Sequence, residues 1–218
     1  MSAPLFGLTG IDFGYDPNTT VLRGLDFELG SGERVAVIGA SGAGKTSLLH
    51  LMVGLLRPRS GRIVAFGRER AVEKDFHEVR ARAGLVFQDA DDQLFCPTVA
   101  EDVAFGPLNL GKSRAEARAI AERTLGVLGL DGFGGRVTHK LSGGEKRLVS
   151  LATVLAMEPE VLLLDEPTAG IDEGTTAGLL AILRGLPQAM VVVCHDRGFR
   201  NELTTRTTHL SGGILTPS

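Results

Sequence analysis

The sequence contains little cysteine, little excess charge and no long apolar run. Its two cysteines, Cys96 and Cys194, lie far apart without metal-ligand spacing, which is typical of a protein in a reducing cytosol. A formal net charge of -3 gives no electrostatic reason to expect a nucleic-acid partner. Because no apolar segment is long enough to span a bilayer and no signal peptide is recognisable, we expect any work at a membrane to be done from the cytoplasmic side, through a partner.

Strand and helix patterns alternate along the rest of the chain. Residues 5–29 have the alternating character of short strands. Further strands are predicted at Arg34–Ile38, Ile63–Phe66, Gly84–Phe87, Val161–Leu164 and Met190–Cys194, and helices at about Lys45–Leu55, Ser113–Leu128 and Glu173–Arg184. This alternation predicts an α/β fold with a mostly parallel, helix-covered sheet. The helical pattern of about 97–157 indicates an insertion within a single domain of 1–218, whose core would be 1–96 and 158–218.

A glycine-rich loop, GASGAGKT, follows the strand at Arg34–Ile38 and opens a helix, which is the context of a P-loop. Glycines let the backbone N–H groups surround a phosphate, and the helix N-terminus adds partial positive charge. The predicted phosphate-binding residues are Gly39, Ala40, Ser41, Gly42, Ala43, Gly44, Lys45, Thr46 and Ser47. We expect Lys45 to reach the β- and γ-phosphates and Thr46 to bind magnesium. The alternative is a glycine-rich turn without a ligand.

The apolar run VLLL ends in two acids, Asp165 and Glu166. Because ligands of open parallel sheets bind at the carboxyl ends of the strands, these acids are expected beside the P-loop. Asp165 is placed to bind magnesium, and Glu166 to polarise the attacking water. Taken alone, an apolar strand that ends in acids is commonplace and carries no function.

The run LSGGE contains Ser142, Gly143, Gly144 and Glu145 at the start of a predicted helix. Ser142 and Glu145 have the spacing of a capping box, so a well-capped helix is the simplest interpretation. A helix start with exposed N–H groups is also an anion site. Because one P-loop does not need a second anion site for the same nucleotide, we expect this run to face the γ-phosphate held by another subunit.

These motifs, in this order, resemble those of the ATP-binding cassette (ABC) family over essentially the whole chain. The resemblance implies that Tyr15 stacks on adenine, that Gln88 links magnesium to the transporter contact, that Asp172 lies in the loop spanning the dimer, and that His195 contacts the γ-phosphate. Without that context, Tyr15 would be a strand-surface residue and His195 a structural histidine. The implied fold is a P-loop NTPase core with an antiparallel β subdomain and an inserted helical subdomain.

The implied mechanism uses ATP and Mg²⁺ between two subunits packed head to tail. Lys45, Gln88, Glu166 and His195 would be catalytic, whereas Thr46, Gln88 and Asp165 would hold the metal. Binding would close the dimer and hydrolysis would open it, which would drive a membrane partner. Since no motif residue is missing, a homodimer with two active sites is favoured over a heterodimer. The partners would be an integral membrane scaffold and a substrate-specific membrane subunit, at the cytoplasmic face of the cell membrane.

The segment Val86–Gly111 closely resembles ATPases of energy-coupling factor transporters, especially the cobalt- and nickel-uptake branch. Its acids Asp91 and Asp92 lack the imidazole or thiolate ligands expected for nickel or cobalt, so substrate specificity is expected in other subunits. Leu94 and Phe95 are expected either to form a groove for a short partner helix or to pin the helical insertion to the sheet. The alternative functions are another ABC importer or exporter and, more remotely, a soluble cassette protein of DNA repair or translation. Many relatives carry an additional C-terminal segment, so we expect this dimer to rely more on nucleotide and membrane partners.

Overall fold

The structure is a computed structural model that describes residues 3–217. The strands are β1 (Phe6–Phe13), β2 (Leu22–Leu29), β3 (Arg34–Ile38), β4 (Ser60–Ala65), β5 (Arg68–Arg70), β6 (Ala83–Val86), β7 (Val161–Asp165), β8 (Ala189–Val193), β9 (Arg206–Ser211) and β10 (Ile214–Pro217). The helices are α1 (Lys45–Met52), α2 (Phe76–Arg82), α3 (Val99–Asn109), α4 (Arg114–Val127), α5 (Gly143–Leu155), α6 (Glu173–Gly185) and α7 (Arg197–Leu203).

The larger sheet has the strand order β10-β9-β3-β8-β7-β6. Its five strands from β9 to β6 pair in parallel, and β10 is antiparallel to β9. Every residue of β7 and β8 is buried, as expected for parallel strands that are covered by helices on both faces. The prediction of a mostly parallel sheet is confirmed. Because β3, β8 and β7 are neighbours, the segments that follow them meet at one edge of the sheet.

The smaller sheet is antiparallel, with the order β2-β1-β4-β5. Its β1 residues alternate between the core and the outside, and Phe6, Leu8, Ile11 and Phe13 are buried. These side chains share one apolar core with α1, α2 and one face of the parallel sheet. The antiparallel part of the fold that the family resemblance implies is therefore present, and it begins the chain.

The helical insertion packs against the opposite face of the parallel sheet. A second apolar core joins residues of α3, α4 and α5 to the sheet residues Val86, Leu162, Leu164, Met190 and Val192. The inserted helices are therefore continuous with the sheet through packing. The division of the domain at about residues 97 and 157 stays a prediction.

Three local features differ from the sequence expectations. Helix α1 ends at Met52 and not near Leu55, because Gly54 has a left-handed backbone (φ 72°) and lies where a Cβ would approach the Phe76 ring to 2.2 Å. The hairpin of β9 and β10 was not among the predicted strands. Leu94 and Phe95 differ in burial, since Leu94 is buried and Phe95 is 64% exposed. The prediction that Phe95 could pin the insertion to the sheet is therefore wrong.

Candidate nucleotide-binding site

A cleft of about 770 Å³ opens at the carboxyl edge of the parallel sheet. Segments that follow β3, β6, β7 and β8 contribute to it, as does the loop after β1. The predicted site residues that line this cleft are Tyr15, Ser41, Gly42, Gly44, Lys45, Thr46, Ser47, Gln88, Asp165, Glu166 and His195. The structure therefore brings together residues from the two ends and the middle of the chain.

The P-loop turns between β3 and α1 through glycines with positive φ. Gly39 has φ 155°, and a Cβ at this position would lie 2.3 Å from the Leu210 carbonyl oxygen, so only glycine fits. Lys45 begins α1, and its Nζ donates to the carbonyl oxygens of Gly39 (3.0 Å) and Ala40 (2.9 Å). The lysine thus folds back over its own loop, where a phosphate would compete for the ammonium group.

Asp165 ends β7 and is 2% exposed. Burial raises the pKa of this carboxyl, whereas a hydrogen bond with Thr46 and the charges of His50, Lys45 and Arg147 act in the opposite direction. Among the residues that the structure describes, its Oδ1 has no hydrogen-bond partner. An orphaned buried carboxylate oxygen is a position that a cation or its bound water would satisfy.

Glu166 follows at a sharp backbone turn with φ 45°, which is unusual for a residue other than glycine. Its Oε1 lies 3.1 Å from Nε2 of His195, and its Oε2 accepts the backbone N–H of His195 at 3.1 Å. The carboxylate is mostly buried, whereas the imidazole is mostly exposed. The strained turn and the two contacts aim Glu166 into the cleft beside His195.

Tyr15 lies on the loop after β1 and lines the cleft. Its hydroxyl is 2.9 Å from Oγ of Ser47, and its ring packs edge-on against Phe13 with 5.0 Å between centroids. The ring is largely exposed, so one face is accessible to a flat ligand.

The residues of LSGGE lie at the start of α5, and Ser142, Gly144 and Glu145 do not line the cleft. The capping box is formed, since Oγ of Ser142 accepts the Glu145 N–H (3.3 Å) and Glu145 accepts the Ser142 N–H (2.8 Å). Those backbone and side-chain hydrogen bonds with Ser142 hold the pKa of Glu145 below its ordinary value. Gly143 lines an adjoining cleft of about 600 Å³, together with Thr46, Gln88 and Asp165 among others.

Asp172 is also outside the cleft, as the N-cap of α6. Its side chain accepts the backbone N–H (2.9 Å) and the hydroxyl (2.7 Å) of Thr175. The starts of α5 and α6 touch, because a Cβ on Gly144 would lie 3.2 Å from the Thr175 side chain. In one subunit, Ser142, Gly144, Glu145 and Asp172 thus lie outside the cleft that the P-loop lines, whereas Gly143 shares the adjoining cleft with Thr46.

The residues near the site that were not predicted from the sequence include two with polar or charged contacts to it, His50 and Arg147, and the cleft residue Thr168. His50 lies close enough to Asp165 to feel its charge, Thr168 lines the main cleft, and Arg147 bonds to the backbone at Gln88. Burial lowers the pKa of His50. Helical spacing was the available signal for His50, since Thr46 and His50 are one turn apart on α1. For Arg147 the sequence offers no comparable signal, because its partners are main-chain carbonyls.

The fold and this cleft define a nucleotide-hydrolysing cassette, and the chain belongs to the ABC transporter ATP-binding family. The family's sequence profile, described as ABC transporter, matches residues 22–169. Members of this family bind ATP and hydrolyse it to power transport, so the protein is an ABC transporter ATPase.

Individual relatives agree with this assignment. A protein of Brucella suis with only the general ABC transporter ATP-binding description is 52% identical over 215 residues, covering 99% of this chain and 89% of the relative. The cobalt import ATP-binding protein of Rhodobacter capsulatus is 47% identical over 197 residues, covering 88% of this chain and 70% of the relative. The solved structure of CbiO1 from Clostridium perfringens, part of the ABC transporter complex CbiONQ, has a TM-score of 0.88 at 31% identity, covering 99% of this chain and 88% of that one.

None of the helices within residues 3–217 combines the length and the hydropathy that a bilayer span requires.

Proposed function

We propose that this ATPase powers an energy-coupling factor type importer, for cobalt or nickel ions, as a head-to-tail dimer. The observation that carries the dimer is that Ser142, Gly144 and Glu145 lie outside the cleft lined by the P-loop, while Gly143 reaches only an adjoining cleft that Thr46 shares. A second anion-binding helix start that serves no phosphate in its own subunit is available to a phosphate in the partner. Each ATP would then lie between Lys45 and Thr46 of one subunit and Ser142 and Gly144 of the other.

Mg²⁺ would be held by Thr46, Asp165 and Gln88. The donor set fits this ion, because hydroxyl, carboxylate and amide oxygens are hard ligands and Oδ1 of Asp165 has no hydrogen-bond partner within residues 3–217. When bound, the ion would neutralise charge on the β- and γ-phosphates.

Hydrolysis in this proposal is mainly positioning and charge stabilisation. Glu166 would orient and polarise the attacking water, and His195 would contact the γ-phosphate. The pairing of Glu166 with His195 at 3.1 Å supports this division, because each group restrains the other before the nucleotide arrives. Tyr15 would stack on adenine through its exposed face, and Asp172 would lie in the loop that spans the dimer.

The membrane scaffold would dock at the helical insertion. A groove of about 1030 Å³ lies between α3 and α4, with Ala100, Ala104, Phe105, Leu108 and Leu125 in its apolar wall. Phe95 packs edge-on against Phe105 (4.8 Å between centroids) at the rim and is itself exposed. A groove with one apolar wall, an aromatic rim and charged lining residues such as Glu101, Arg114 and Glu122 is suited to a short amphipathic helix. Gln88 lines the nucleotide cleft and begins the stretch of chain that leads to Phe95. It would therefore connect the nucleotide cleft with the groove.

The composite site is tested by mixing two variants, Ser142→Arg and Lys45→Ala. Ser142→Arg places a bulky cation at the helix start, so it should keep ATP binding through Lys45 and lose hydrolysis and ATP-dependent dimerisation. In a mixed head-to-tail dimer, one site combines both defects and the other contains neither, so some hydrolysis should return. Hydrolysis by Ser142→Arg alone that still rises with subunit concentration as in the unaltered protein would contradict the two-subunit site.

The transporter type rests on the segment Val86–Gly111 and on the two relatives whose names concern cobalt import or the CbiONQ complex. Co-purification from detergent extracts, followed by identification of the membrane partner, tests it. An energy-coupling scaffold and a substrate-specific membrane subunit would support the proposal. The membrane domain of a different importer or an exporter would replace it with the alternative, and recovery without any integral membrane protein would favour a soluble cassette protein.

A further inference from the structure

Arg147 is a buried cation on α5 whose partners lie in two separate loops. Arg147 is 4% exposed. Its guanidinium donates to the carbonyl oxygens of Phe87 (2.8 Å), Gln88 (2.7 Å) and Ala169 (3.4 Å). The first carbonyl belongs to the residue before the cleft residue Gln88, and the second belongs to Gln88 itself. The third lies in the turn between Glu166 and Asp172. Burying a charge is costly unless its donors are satisfied, so these carbonyls are held firmly.

The loop after β6 is fastened to α5 at further points. Lys146 pairs with Asp91 (2.5 Å), and Nε2 of Gln93 donates to the Ser150 carbonyl and to the Thr153 hydroxyl, both at 2.8 Å. The same Gln93 accepts the backbone N–H of Phe87 at 3.1 Å. The loop 87–93 is thus attached along about two turns of α5, and only its start continues a strand of the sheet.

We propose that Arg147 is a positioning residue that locks the Gln88 loop and the loop leading to Asp172 to the helix that carries Ser142. One guanidinium therefore connects the part of a subunit that faces its own ATP with the part that faces the partner's ATP. Displacement of α5 by a phosphate at its start displaces Gln88 and the Asp172 loop in the same subunit. This step rests on the proposed dimer, whereas the locking of the loops does not.

Hydrogen exchange on the nucleotide-free protein tests the locking directly. Arg147→Lys keeps the charge but loses the planar fork that reaches carbonyls in two loops. Amides within 88–92 and 169–172 should exchange about tenfold faster, while those of α5 stay as they were. Unchanged exchange in both loops, or equally faster exchange throughout α5, would overturn the inference. Arg147→Gln, which keeps two N–H donors without the charge, is the second variant should Arg147→Lys not fold.

The matched control is Arg123→Lys, because Arg123 is an exposed arginine of the helical insertion that forms an ion pair with the exposed Glu158 and does not line the groove between α3 and α4. It should leave exchange in both loops and hydrolysis unchanged. Faster exchange in the loops of this control would show a general effect of arginine replacement and would remove the assignment to Arg147.

Mixed dimers test the connection between the two ATP sites. Pairing Arg147→Lys with Lys45→Ala leaves one intact P-loop in the Arg147→Lys subunit. Pairing the double variant Arg147→Lys/Lys45→Ala with the unaltered subunit leaves an intact P-loop that faces the altered α5. Relative to the pairing of unaltered and Lys45→Ala subunits, hydrolysis should fall about tenfold or more in both cases, because small misplacements of site residues are costly. A fall in only one pairing would show a one-sided structural role and would contradict the connection. If hydrolysis by the reference pairing depends on subunit concentration no more than that of a monomer would, the proposed dimer is wrong. The hydrogen-exchange result does not depend on the dimer and would still hold.

Discussion

The backbone conformation of Glu166, with φ 45°, restricts the directions in which its carboxylate can point. A left-handed conformation costs a residue with a side chain about 1–3 kcal/mol, and the surrounding structure must supply that energy. Here the Glu166 N–H bonds to the Val193 carbonyl oxygen at 2.8 Å, which ties the turn to the neighbouring strand. The strained turn therefore fixes the orientation of the carboxylate at the ends of β7 and β8, where the proposed mechanism needs a group to orient the attacking water.

Glu166→Gln is expected to keep ATP binding and to lose most hydrolysis. The amide has the size of the carboxylate but cannot act as a base toward water, so the rate should fall by about 10²–10⁴-fold. The variant should also accumulate as a closed, ATP-bound dimer in gel filtration. Near-normal turnover of Glu166→Gln would show that Glu166 has no catalytic role. The matched control is Glu173→Gln, at the exposed start of α6, which should hydrolyse ATP at the normal rate.

The P-loop and the two acids of the cleft could be predicted because they stand in contiguous motifs with a fixed structural context, whereas Tyr15, Gln88 and His195 came from the family resemblance. The P-loop follows β3 and opens α1, and the acids end β7, as the patterns indicated. Arg147 and His50 could not be found this way. Their roles depend on which surfaces α5 and α1 turn toward other segments, and a carbonyl partner such as Phe87 leaves no mark on the sequence.

At the scale of elements, the strongly apolar strands β3, β7 and β8 were predicted to within a residue or two, because burial on both faces leaves little ambiguity. Helix ends were less predictable. The end of α1 depends on the contact between Gly54 and Phe76, which are distant from each other along the chain. The strands β9 (RTTHLS) and β10 (ILTP) are short and largely polar or interrupted by proline, and Gly212 and Gly213 lie between them, so their sequences resemble those of loops.

The start of α3 is held by a buried carboxylate, and its loss should destabilise the protein. Asp102 is 2% exposed, and it accepts the N–H groups of Phe95 (3.0 Å) and Cys96 (2.9 Å) and the hydroxyl of Thr138 (2.9 Å). Asp102→Ala leaves buried donors without an acceptor, so the free energy of unfolding should fall by about 3 kcal/mol in urea titration. Asp102→Asn keeps an acceptor for the loop and should cost much less.

Cys96 supplies a second measurement of the same contact. Burial, together with the nearby charge of Asp102, raises the pKa of the Cys96 thiol to about 11. Removing that charge in Asp102→Asn should lower the pKa, so that more thiolate is present at mildly alkaline pH and alkylation is faster. Equal stability of the alanine variant and the unaltered protein, with equal alkylation rates for the asparagine variant, would show that Asp102 does not hold this loop.

At the scale of the whole molecule, the two proposed functions lie in separate places that packed elements connect. The nucleotide cleft lies where the strands end, and the apolar groove lies between α3 and α4. The second apolar core joins α3 and α4 to α5 and the sheet, so a movement at the nucleotide reaches the groove through packed elements and not through a flexible link. This arrangement suits a subunit that must transmit force to a partner.

Phe95→Ala tests where that force leaves the subunit. Since Phe95 is 64% exposed and touches Phe105 edge-on, its loss should change the free energy of unfolding by about 1 kcal/mol, not the 3–5 kcal/mol of a core phenylalanine. ATP binding should stay unchanged, while co-purification with the membrane scaffold and coupled transport should weaken. Val127→Ala is the matched control, because Val127 is equally exposed (64%) and does not line the groove. A Phe95→Ala protein that co-purifies with its scaffold as well as the Val127→Ala protein does would place the docking surface elsewhere on the insertion.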